Sequence, residues 1–530
     1  MGRQGLGQPG GAGVQRPGRP GPEFLPRQAR WNPIVILGPS RIMVGMKTAR
    51  WMRLCIGALC CLDLSALGAG DTEGWIPLFD GQTLDGWKAS ENPGGFQVAN
   101  GTITFDGARS HLFYVGKVQG ADFKNFELKA DVRTGPGANS GIFFHTAYQE
   151  AGFPVKGFEA QVANTHVGAG GYIERKKTGS LYGIRNLYKA IVQDNEWFTM
   201  HICVRNRHVQ IRVNDFLAVD YIEPENPLLD VRRPGRRISR GTFALQGHDP
   251  DSKVSFRNIR VKPLPDELPF DSIAPAPFDK VDQQIVKLGT ANYPLVDFHT
   301  HLKGGLTLEG VFEHMRRTGI NHGIAVNCGL GFAITNDAGI ESFLGSMAGK
   351  PVFVGMQAEG REWPQLFSKA AIHRFDYVFT DSMTIFDPRG KRMRLWIREE
   401  VEVQDKQAFM DHLADTTAKI LEEEPIDIYV NPTFLPDAIA SEYDVLWTPA
   451  RMQRVIGAAQ RGGVAIEINS RYRLPSAEFI RRAKAAGLKF TLGVNNVDAD
   501  LGRSEYGLEM IAACGLQSKD FWMPKARSSP

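Results

Sequence analysis

A carboxylate and an amide stand two residues apart in a short alternating stretch. The apolar positions are Phe158, Ala160 and Val162, with Glu159 and Gln161 between them. Side chains alternate across a strand, so Glu159 and Gln161 should project from one face while the apolar set enters the core. Such a pair could hold a sugar and move a proton. Alternation alone favours a solvated outer face, so other features must decide between the two interpretations.

A pair of histidines could do a different kind of chemistry. His299 and His301 stand two residues apart at the end of an apolar run over 295–299. If that run is a strand, both imidazoles lie on the same side at its C-terminal end. In a parallel barrel, functional groups collect at that end. Two imidazoles in this arrangement are typical of a metal site.

The elements that must hold Glu159 and Gln161 are short strands. Alternation is strict over 126–133 and again over 209–213, where Asn214 and Asp215 follow as a turn. Gly, Asn and Asp clusters separate many such stretches as far as residue 262. This pattern predicts an all-β jelly-roll sandwich over residues 71–262.

The elements that must hold the histidine pair come after a proline-rich stretch at 263–292, which predicts a semi-extended linker. From residue 293, apolar strands alternate with amphipathic helices, one beginning after Thr307 and another after Ser476. Repeated strand–helix units predict a parallel sheet, and seven of them favour a closed α/β barrel over 293–530. The strand candidates are 295–299, 323–328, 352–357, 377–381, 426–431, 464–469 and 490–494.

Composition limits the remaining possibilities. The chain has 530 residues and a formal net charge of +4, which indicates two or three globular domains and no nucleic-acid surface. Residues 1–45 are rich in Gly, Pro, Arg and Gln and should be disordered. Residues 46–70 combine basic residues, a short apolar run and small residues at its end, which is typical of a secretory signal peptide. We therefore expect export to the periplasm or the outside, with Met46 as the true start.

The cysteines do not indicate a disulfide framework. Outside the expected signal peptide, Cys203, Cys328 and Cys514 are odd in number and far apart in the chain. Their apolar surroundings predict buried, inert thiols. No later segment is apolar enough to cross a bilayer, so we expect no membrane span in the mature chain.

The first half of the chain resembles the 3-keto-disaccharide hydrolase domain, a jelly roll related in shape to concanavalin-type lectins. The resemblance begins at Gly74-Trp-Ile-Pro-Leu-Phe-Asp-Gly and runs in order to Phe256-Arg-Asn-Ile259. The matching segments between these are Ser140-Gly-Ile-Phe-Phe, Phe158-Glu-Ala-Gln, Thr178-Gly-Ser-Leu-Tyr-Gly183, Glu196-Trp197 and Leu245-Gln-Gly-His248. The chain departs from the family at His145, where the family usually has Arg.

This resemblance implies a glycoside whose carbon 3 has been oxidised to a ketone. The ketone acidifies the proton on carbon 2, whose removal permits loss of the group on carbon 1, and water can then add back. By position, Glu159 is the base and His248 its acid/base partner. The side chains expected to contact the sugar are Gln161, His145, Tyr182 and Trp197. Core packing is the other interpretation of Trp87 and Trp197.

The second half resembles the polymerase-and-histidinol-phosphatase (PHP) superfamily of metal-dependent phosphoesterases. The matching segments are Val296-Asp-Phe-His-Thr-His-Leu302, Gln357-Ala-Glu-Gly360, Ile466-Glu-Ile-Asn-Ser470 and Leu501-Gly-Arg-Ser-Glu-Tyr506. The family expects histidines near Met383 and at Asn431, and an Asp-x-His motif where Asn495-Asn-Val497 stands. The metal ligands that the resemblance carries over are His299, His301, Glu359 and Glu467, which Asp381 or Asp498 could join.

Four such ligands suffice for one divalent ion, Zn or Mn. The alternative is a degenerate barrel that serves as a scaffold. As a whole, the sequence predicts an exported hydrolase that cleaves 3-keto-glycosides, with a PHP-like barrel appended. One alternative makes the jelly roll a carbohydrate-binding anchor for a metal-dependent hydrolase, and another makes both domains binding or structural parts.

Overall fold

A computed structural model describes residues 74–269 and 278–525 of the chain. The predicted disordered segment at 1–45 and the predicted signal peptide at 46–70 lie outside the described residues. Within those two ranges, no helix combines the length and the apolar character that crossing a bilayer requires.

The first domain is a sandwich of antiparallel strands, as the alternating pattern predicts. Its strands are β1 (Ile76–Pro77), β2 (Trp87–Ala89), β3 (Phe96–Ala99), β4 (Thr102–Phe105), β5 (Ser110–Tyr114), β6 (Phe126–Thr134), β7 (Asn139–Thr146), β8 (Phe158–Ala163), β9 (Phe198–Arg205), β10 (His208–Val213), β11 (Phe216–Ile222), β12 (Thr242–Gly247) and β13 (Val254–Pro263). The larger sheet has the order β11-β10-β9-β6-β13-β4-β3, with β1 paired to β13. The smaller sheet has the order β2-β5-β12-β7-β8.

The alternating strands place their apolar sets between the two sheets. On β6, Phe126, Leu128, Ala130 and Val132 are buried, and the polar residues between them are partly or fully exposed. The turn predicted after Val213 joins β10 to β11. Burying a large apolar side chain contributes roughly 1.5–3 kcal/mol, so this pattern accounts for the sandwich core.

The second domain is a closed parallel barrel. In the described part of this domain the strands are β14 (Val296–Thr300), β15 (Asn321–Cys328), β16 (Phe353–Ala358), β17 (Tyr377–Thr380), β18 (Thr384–Phe386), β19 (Arg392–Arg394), β20 (Ile428–Tyr429), β21 (Ala465–Asn469) and β22 (Phe490–Gly493). The barrel closes in the order β14-β15-β16-β17-β20-β21-β22, and β18 and β19 form a separate ribbon. All seven strand candidates are confirmed.

Helices surround the barrel, and two of them begin where the sequence predicts. The helices are α1 (Lys280–Thr290), α2 (Leu308–Thr318), α3 (Asp337–Met347), α4 (Trp363–Leu366), α5 (Lys369–Ile372), α6 (Lys406–Glu423), α7 (Tyr443–Leu446), α8 (Pro449–Gly462), α9 (Ala477–Ala485) and α10 (Glu505–Ala513). Thr307 and Ser476 are the N-caps of α2 and α9, and each side chain accepts a backbone N–H.

The predicted linker at 263–292 is wrong over its second half, because α1 occupies residues 280–290. A capping box starts this helix: the Asp279 carboxylate accepts backbone N–H groups, and the Asp282 carboxylate accepts the N–H of Asp279. The buried residues Ile285 and Val286 attach the helix to the barrel core. The prolines earlier in the stretch favoured an extended linker, and the short helix that follows them was therefore not predicted.

A loop of the sandwich packs against the end of the barrel where the strands begin. Lys189 Nζ donates to the Val352 carbonyl and to Asp376 Oδ2, both at 2.8 Å. Tyr188 N donates to Asn321 Oδ1 at 3.2 Å. Asn321, Val352 and Asp376 lie at or just before the starts of three barrel strands. The C-terminal ends of the barrel strands therefore lie at the end opposite the sandwich.

The cysteines agree in part with the prediction. Cys203, Cys328 and Cys514 are all free thiols, as expected. Cys328 and Cys514 are buried, whereas Cys203 is only partly buried on β9. Burial raises the pKa of the Cys514 thiol and of the Cys203 thiol, which disfavours the reactive thiolate.

Candidate active site

Glu159 and Gln161 project from the smaller sheet, away from the core between the sheets. On β8, Phe158, Ala160 and Val162 belong to the sandwich core, as the alternation predicts. Glu159 pairs in register with Phe143 of β7. Both polar side chains are nonetheless covered, since Glu159 is 6% and Gln161 is 1% exposed. A solvated outer face is therefore excluded, and the carboxylate lies in a buried polar layer.

Polar side chains from neighbouring elements surround the Glu159 carboxylate. Gln246 Nε2, on β12, donates to Glu159 Oε1 at 3.3 Å. Arg233 Nη1 lies 3.9 Å from Glu159 Oε2. Burial raises the pKa of Glu159 to about 7, and the charges of Arg233 and Arg236 keep it from rising further. A carboxylate with such a pKa can accept a proton near neutral pH.

Gly141 leaves the space in which the carboxylate lies. This residue lies on β7 and pairs with Gln161 of the adjacent strand β8. A Cβ at Gly141 would stand 2.6 Å from Glu159 Oε1 and 2.8 Å from its Cγ. The glycine of the Ser-Gly-Ile-Phe-Phe segment thus makes room for the Glu159 side chain.

Tyr182 joins Glu159 to a buried ion pair. Tyr182 N donates to the Glu159 carbonyl at 3.0 Å, and Tyr182 Oη donates to Glu174 Oε2 at 3.2 Å. Glu174 Oε1 accepts from Lys176 Nζ at 2.8 Å. Although burial opposes ionisation, Lys176 holds the pKa of Glu174 below its usual value. Asn292, just after α1, accepts from Lys176 Nζ at 3.2 Å, so the barrel domain supports this pair.

His248 follows β12 and is hydrogen-bonded to a carboxylate. Its Nδ1 donates to Asp249 Oδ2 at 2.6 Å, and 27% of its side chain is exposed. Its ring lies 5.4 Å from the ring of Phe153 and 5.9 Å from that of His166. An imidazole oriented by Asp249 through Nδ1 keeps Nε2 for a substrate.

Gln246 connects the Glu159 carboxylate to the region around His248. Its Nε2 lies 3.4 Å from His111 Nε2, on the neighbouring strand β5. His111 is fully buried, and burial lowers its pKa to about 3, so its imidazole is neutral. Glu159, Gln246 and His111 therefore form one polar layer over the smaller sheet, and the ring of Phe153 contacts both His111 and His248.

Two predicted sugar contacts do not face this layer. His145 is 0% exposed, and its Nε2 donates to the Lys124 carbonyl while its Nδ1 accepts from Ser239 N. Trp197 lies under the guanidinium groups of Arg133 and Arg257, at 4.9 and 4.0 Å, on the outer face of the larger sheet. Sequence order could not separate the two sheets, and the structure places neither residue beside Glu159.

Trp87 confirms the core interpretation. It is 7% exposed, its Nε1 donates to the Leu78 carbonyl at 2.7 Å, and its ring packs edge-on against Tyr114 at 5.3 Å. Tyr182 and Gln161 are the predicted sugar contacts that lie beside Glu159. Gln161 Nε2 donates to Asn139 Oδ1 at 2.7 Å, and its Oε1 has no partner among the described residues.

The sequence analysis missed Arg233 and Arg236. Five arginines occur between 232 and 240, a run that reads as solvated surface when taken alone. In the structure, Arg233 and Arg236 lie over the ring of Tyr182, with 5.7 and 5.6 Å between guanidinium carbon and ring centroid. Arg236 is 8% exposed, and burial lowers its pKa to about 10. Gly residues at 157 and 235 were the available signal, since they permit two loops to approach.

The histidine pair lies in the barrel at the C-terminal end of β14. His299 Nδ1 bonds to Glu467 Oε1 at 2.7 Å, and His301 Nδ1 donates to the Ala325 carbonyl at 3.0 Å. The Nε2 atoms of both rings are buried and have no partner among the described residues. Their ring centroids are 5.4 Å apart.

The carboxylates predicted as metal ligands accept hydrogen bonds from other residues of the barrel. Besides His299, Glu467 accepts from Asn431 N at 2.7 Å and from Asn469 Nδ2 at 3.0 Å. Glu359 Oε1 accepts from Asn327 Nδ2 at 2.7 Å. Burial and the charge of Asp381 raise the pKa of Glu359, which favours its neutral form.

These residues do not fit the metal site that the PHP resemblance implies. Among the described residues, no group of three or more His, Cys, Asp or Glu side chains is arranged to hold a metal ion. Glu467 orients His299 through Nδ1, which is the role of a supporting group rather than of a metal ligand.

Comparison with known proteins identifies the sandwich more closely than the barrel. Residues 74–262 match the family model described as a 3-keto-alpha-glucoside-1,2-lyase-like domain. A 3-keto-disaccharide hydrolase of Bacteroides thetaiotaomicron (strain VPI-5482) is 34% identical over 86 residues, or 14% of this chain. The chain covers only 28% of that relative's length. The family match supports a carbohydrate-active, hydrolase-like domain over residues 74–262.

Two solved structures are also similar to part of the chain. A protein of Parabacteroides distasonis ATCC 8503, named as a proposed glycosyl hydrolase, is 25% identical over 36% of this chain and 95% of its own, with a TM-score of 0.31. Carbohydrate-binding module CBM66 of Bacillus subtilis is 13% identical over 33% of this chain and 95% of its own, with a TM-score of 0.24.

Proposed function

We propose that the sandwich cleaves 3-keto-glycosides, with Glu159 as the base. The observation that carries this proposal is a buried carboxylate with a pKa of about 7, placed in a polar layer beside an amide and two guanidinium groups. The match of residues 74–262 to the lyase-like family model supports the same chemistry. A ketone at carbon 3 is what makes the neighbouring proton acidic enough for a carboxylate to remove.

The reaction proceeds by elimination and hydration. Glu159 takes the proton from carbon 2, and the electron pair of that bond forms the enolate of the ketone. When the enolate collapses to the ketone, the pair forms a C1=C2 double bond and the bond from carbon 1 to its oxygen substituent breaks. Water then adds across the double bond, with hydroxyl on carbon 1 and a proton on carbon 2, to give the free 3-keto sugar.

His248 supplies the proton that the leaving oxygen needs. Its Nδ1–H donates to Asp249, and its ring is partly exposed, so Nε2 is the nitrogen that would serve the substrate. A protonated His248 neutralises the departing alkoxide, and the resulting neutral imidazole can later accept a proton from the attacking water. Gln161 and Tyr182 flank Glu159 and position the sugar.

The test compares oxidised and unoxidised substrates on the full chain. The proposal predicts release of the aglycone from a 3-keto-glucoside and none from the corresponding glucoside. Binding of the unoxidised glucoside without turnover of either compound would favour a carbohydrate-binding module instead. Turnover of the unoxidised glucoside at an equal rate would contradict the role of the ketone.

A metal-dependent activity of the barrel stays a prediction. The observation in its favour is that the buried Nε2 atoms of His299 and His301 have no partner within residues 74–269 and 278–525. The observation against it is that the same residues supply no third His, Cys, Asp or Glu arranged to hold a metal ion. Metal analysis of the purified full chain decides: about one Zn or Mn per chain supports a metal site, and less than ~0.2 per chain supports a scaffold. Export is likewise a proposal, tested by N-terminal sequencing of protein recovered outside the cytoplasm.

A further inference from the structure

Two arginines beside Glu159 have no role in the steps above. Arg233 and Arg236 belong to the loop between β11 and β12. Gly157 N, two residues before Glu159, donates to the Gly235 carbonyl at 2.9 Å, which ties this loop to the start of β8. A Cβ at Gly235 would stand 3.1 Å from Lys156 Cα, so the close approach depends on glycine. The backbone therefore delivers two guanidinium groups to the face that carries Glu159.

One donor of the Arg236 guanidinium has no acceptor among the described residues. Arg236 is 8% exposed, and its Nη2 has no hydrogen-bond partner among the described residues. The 3.9 Å between Arg233 Nη1 and Glu159 Oε2 is too long for a hydrogen bond. Leaving a buried donor unsatisfied is costly, so these groups call for an acceptor that comes from outside.

The charges around Glu159 leave the arginines in excess. Lys176 is paired with Glu174 at 2.8 Å, and Asp230 lies 3.5 Å from the exposed Arg232. The charges of Arg233 and Arg236 both act on Glu159, and the remaining carboxylate near Arg236 is Asp230, which Arg232 also contacts. Removal of the proton from carbon 2 transfers one negative charge from Glu159 to the sugar.

We propose that Arg233 and Arg236 form an oxyanion site that binds the ketone oxygen on carbon 3 of the sugar. This inference rests on the proposed function. As the carbon–hydrogen bond at carbon 2 breaks, its electron pair forms the C2=C3 double bond and the π pair of the ketone moves onto oxygen. The guanidinium groups donate to that oxygen as its charge develops.

The 3.9 Å between Arg233 Nη1 and Glu159 Oε2 fits this division of roles. Carbon 2 and the ketone oxygen are separated by two bonds. A base and a donor that are close without bonding to each other can therefore reach both atoms of one substrate. Each planar guanidinium group offers several N–H donors in a fixed orientation, which suits an oxyanion better than an ammonium would.

The experiment compares Arg233→Gln and Arg236→Lys with the full wild-type chain and with Arg232→Gln. Arg232 is in the same loop, with 78% of its side chain exposed, and is the matched control. We expect Arg233→Gln to lower kcat on a 3-keto-glucoside about 10²-fold with KM changed less than about threefold. Arg236→Lys should lower kcat about tenfold, because the charge stays and the planar donor set is lost. Arg232→Gln should match the wild type.

A second readout uses inorganic sulfate, which needs no turnover. Calorimetry should show sulfate binding to the wild type and to Arg232→Gln, weakened at least tenfold in Arg233→Gln and Arg236→Lys. Wild-type kcat in both variants would overturn the oxyanion site while the proposed function stands. If the wild type turns over no 3-keto-glycoside, the proposed function fails, and sulfate binding that depends on both arginines would still support the site. Absence of sulfate binding to the wild type would then overturn the oxyanion site.

Discussion

The polar layer of the sandwich and the C-terminal end of the barrel strands, here called the barrel mouth, contain similar residue types. They differ in whether the carboxylates and cations have hydrogen-bond partners within the protein. In the sandwich, Glu159 is close to Arg233 without being bonded to it, and Arg236 has a buried donor with no acceptor in the described part of the chain. In the barrel, Glu467 accepts from His299, Asn431 and Asn469. The sandwich therefore leaves its carboxylate available for proton transfer, whereas the barrel uses its carboxylates to hold its own side chains.

This difference shows that the hydrogen-bond partners of a functional group matter as much as its identity. His299 and His301 keep free Nε2 atoms, yet the carboxylates needed to complete a metal site are bonded to amides. Where the PHP pattern has histidine, Asn431 instead donates to Glu467 and Asp381. Amides can satisfy buried carboxylates without supplying charge.

A large effect is expected when the proposed acid is removed from the sandwich. His248→Asn should lower cleavage of a 3-keto-glycoside with an alkyl aglycone by about 10³-fold, since the leaving alkoxide needs a proton. A nitrophenyl aglycone leaves without protonation, so its release should fall less than about tenfold. Equal losses for both aglycones would indicate that His248 does not act as the acid.

A smaller effect is expected when the space around the Glu159 carboxylate is disturbed. A methyl group in Gly141→Ala would contact Glu159 Oε1 and displace it. Misplacing a catalytic group by about 1 Å can cost roughly 10²-fold in rate, and we expect a loss of that size. Gly94→Ala is the control, because a Cβ there meets nothing within 4 Å. A fully active Gly141→Ala would argue against a catalytic position for the carboxylate.

The dependence of kcat/KM on pH tests the protonation state of Glu159. Glu159 must be deprotonated to act, so kcat/KM should fall as pH drops through about 7, the pKa to which burial raises this carboxyl. The charge of Arg233 opposes that rise. Arg233→Gln should therefore move the acidic limb of the profile to higher pH. A limb that stays in place or moves to lower pH would contradict the predicted coupling.

The smallest effect is expected at the opposite end of the barrel. His301→Ala removes one free Nε2 from the barrel mouth, while the sandwich packs on the end where the strands begin. We expect 3-keto-glycoside turnover within about twofold of wild type, because the two sites share no side chain. A large loss of turnover would show that the barrel mouth takes part in the reaction.

Periodicity in the sequence predicted the frame of both domains. The alternation of Phe126, Leu128, Ala130 and Val132 reported a strand buried on one face, and each apolar run of the second half became a barrel strand. The caps at Thr307 and Ser476 were equally local signals. These features depend on neighbours in the chain, which is why a single sequence contains them.

The composition of the site depends on contacts between distant segments and could not be predicted. Arg233 and Arg236 reach Glu159 only because Gly157 and Gly235 bring two loops together. His145 was expected at the sugar, but a backbone φ of 53° turns it into a buried position where it accepts from Ser239 N. No spacing rule reports such contacts, whereas the pairing of Glu159 with Gln161 follows from alternation alone.

The most direct measurement is cleavage of a 3-keto-glucoside, protiated or deuterated at carbon 2, by the wild type, Glu159→Gln and the exposed control Glu196→Gln. The account predicts slower cleavage of the deuterated substrate by the wild type, because the bond from carbon 2 to hydrogen breaks. It predicts a loss of at least about 10³-fold in Glu159→Gln and none in Glu196→Gln. Cleavage by Glu159→Gln at the wild-type rate would contradict the assignment of Glu159 as the base.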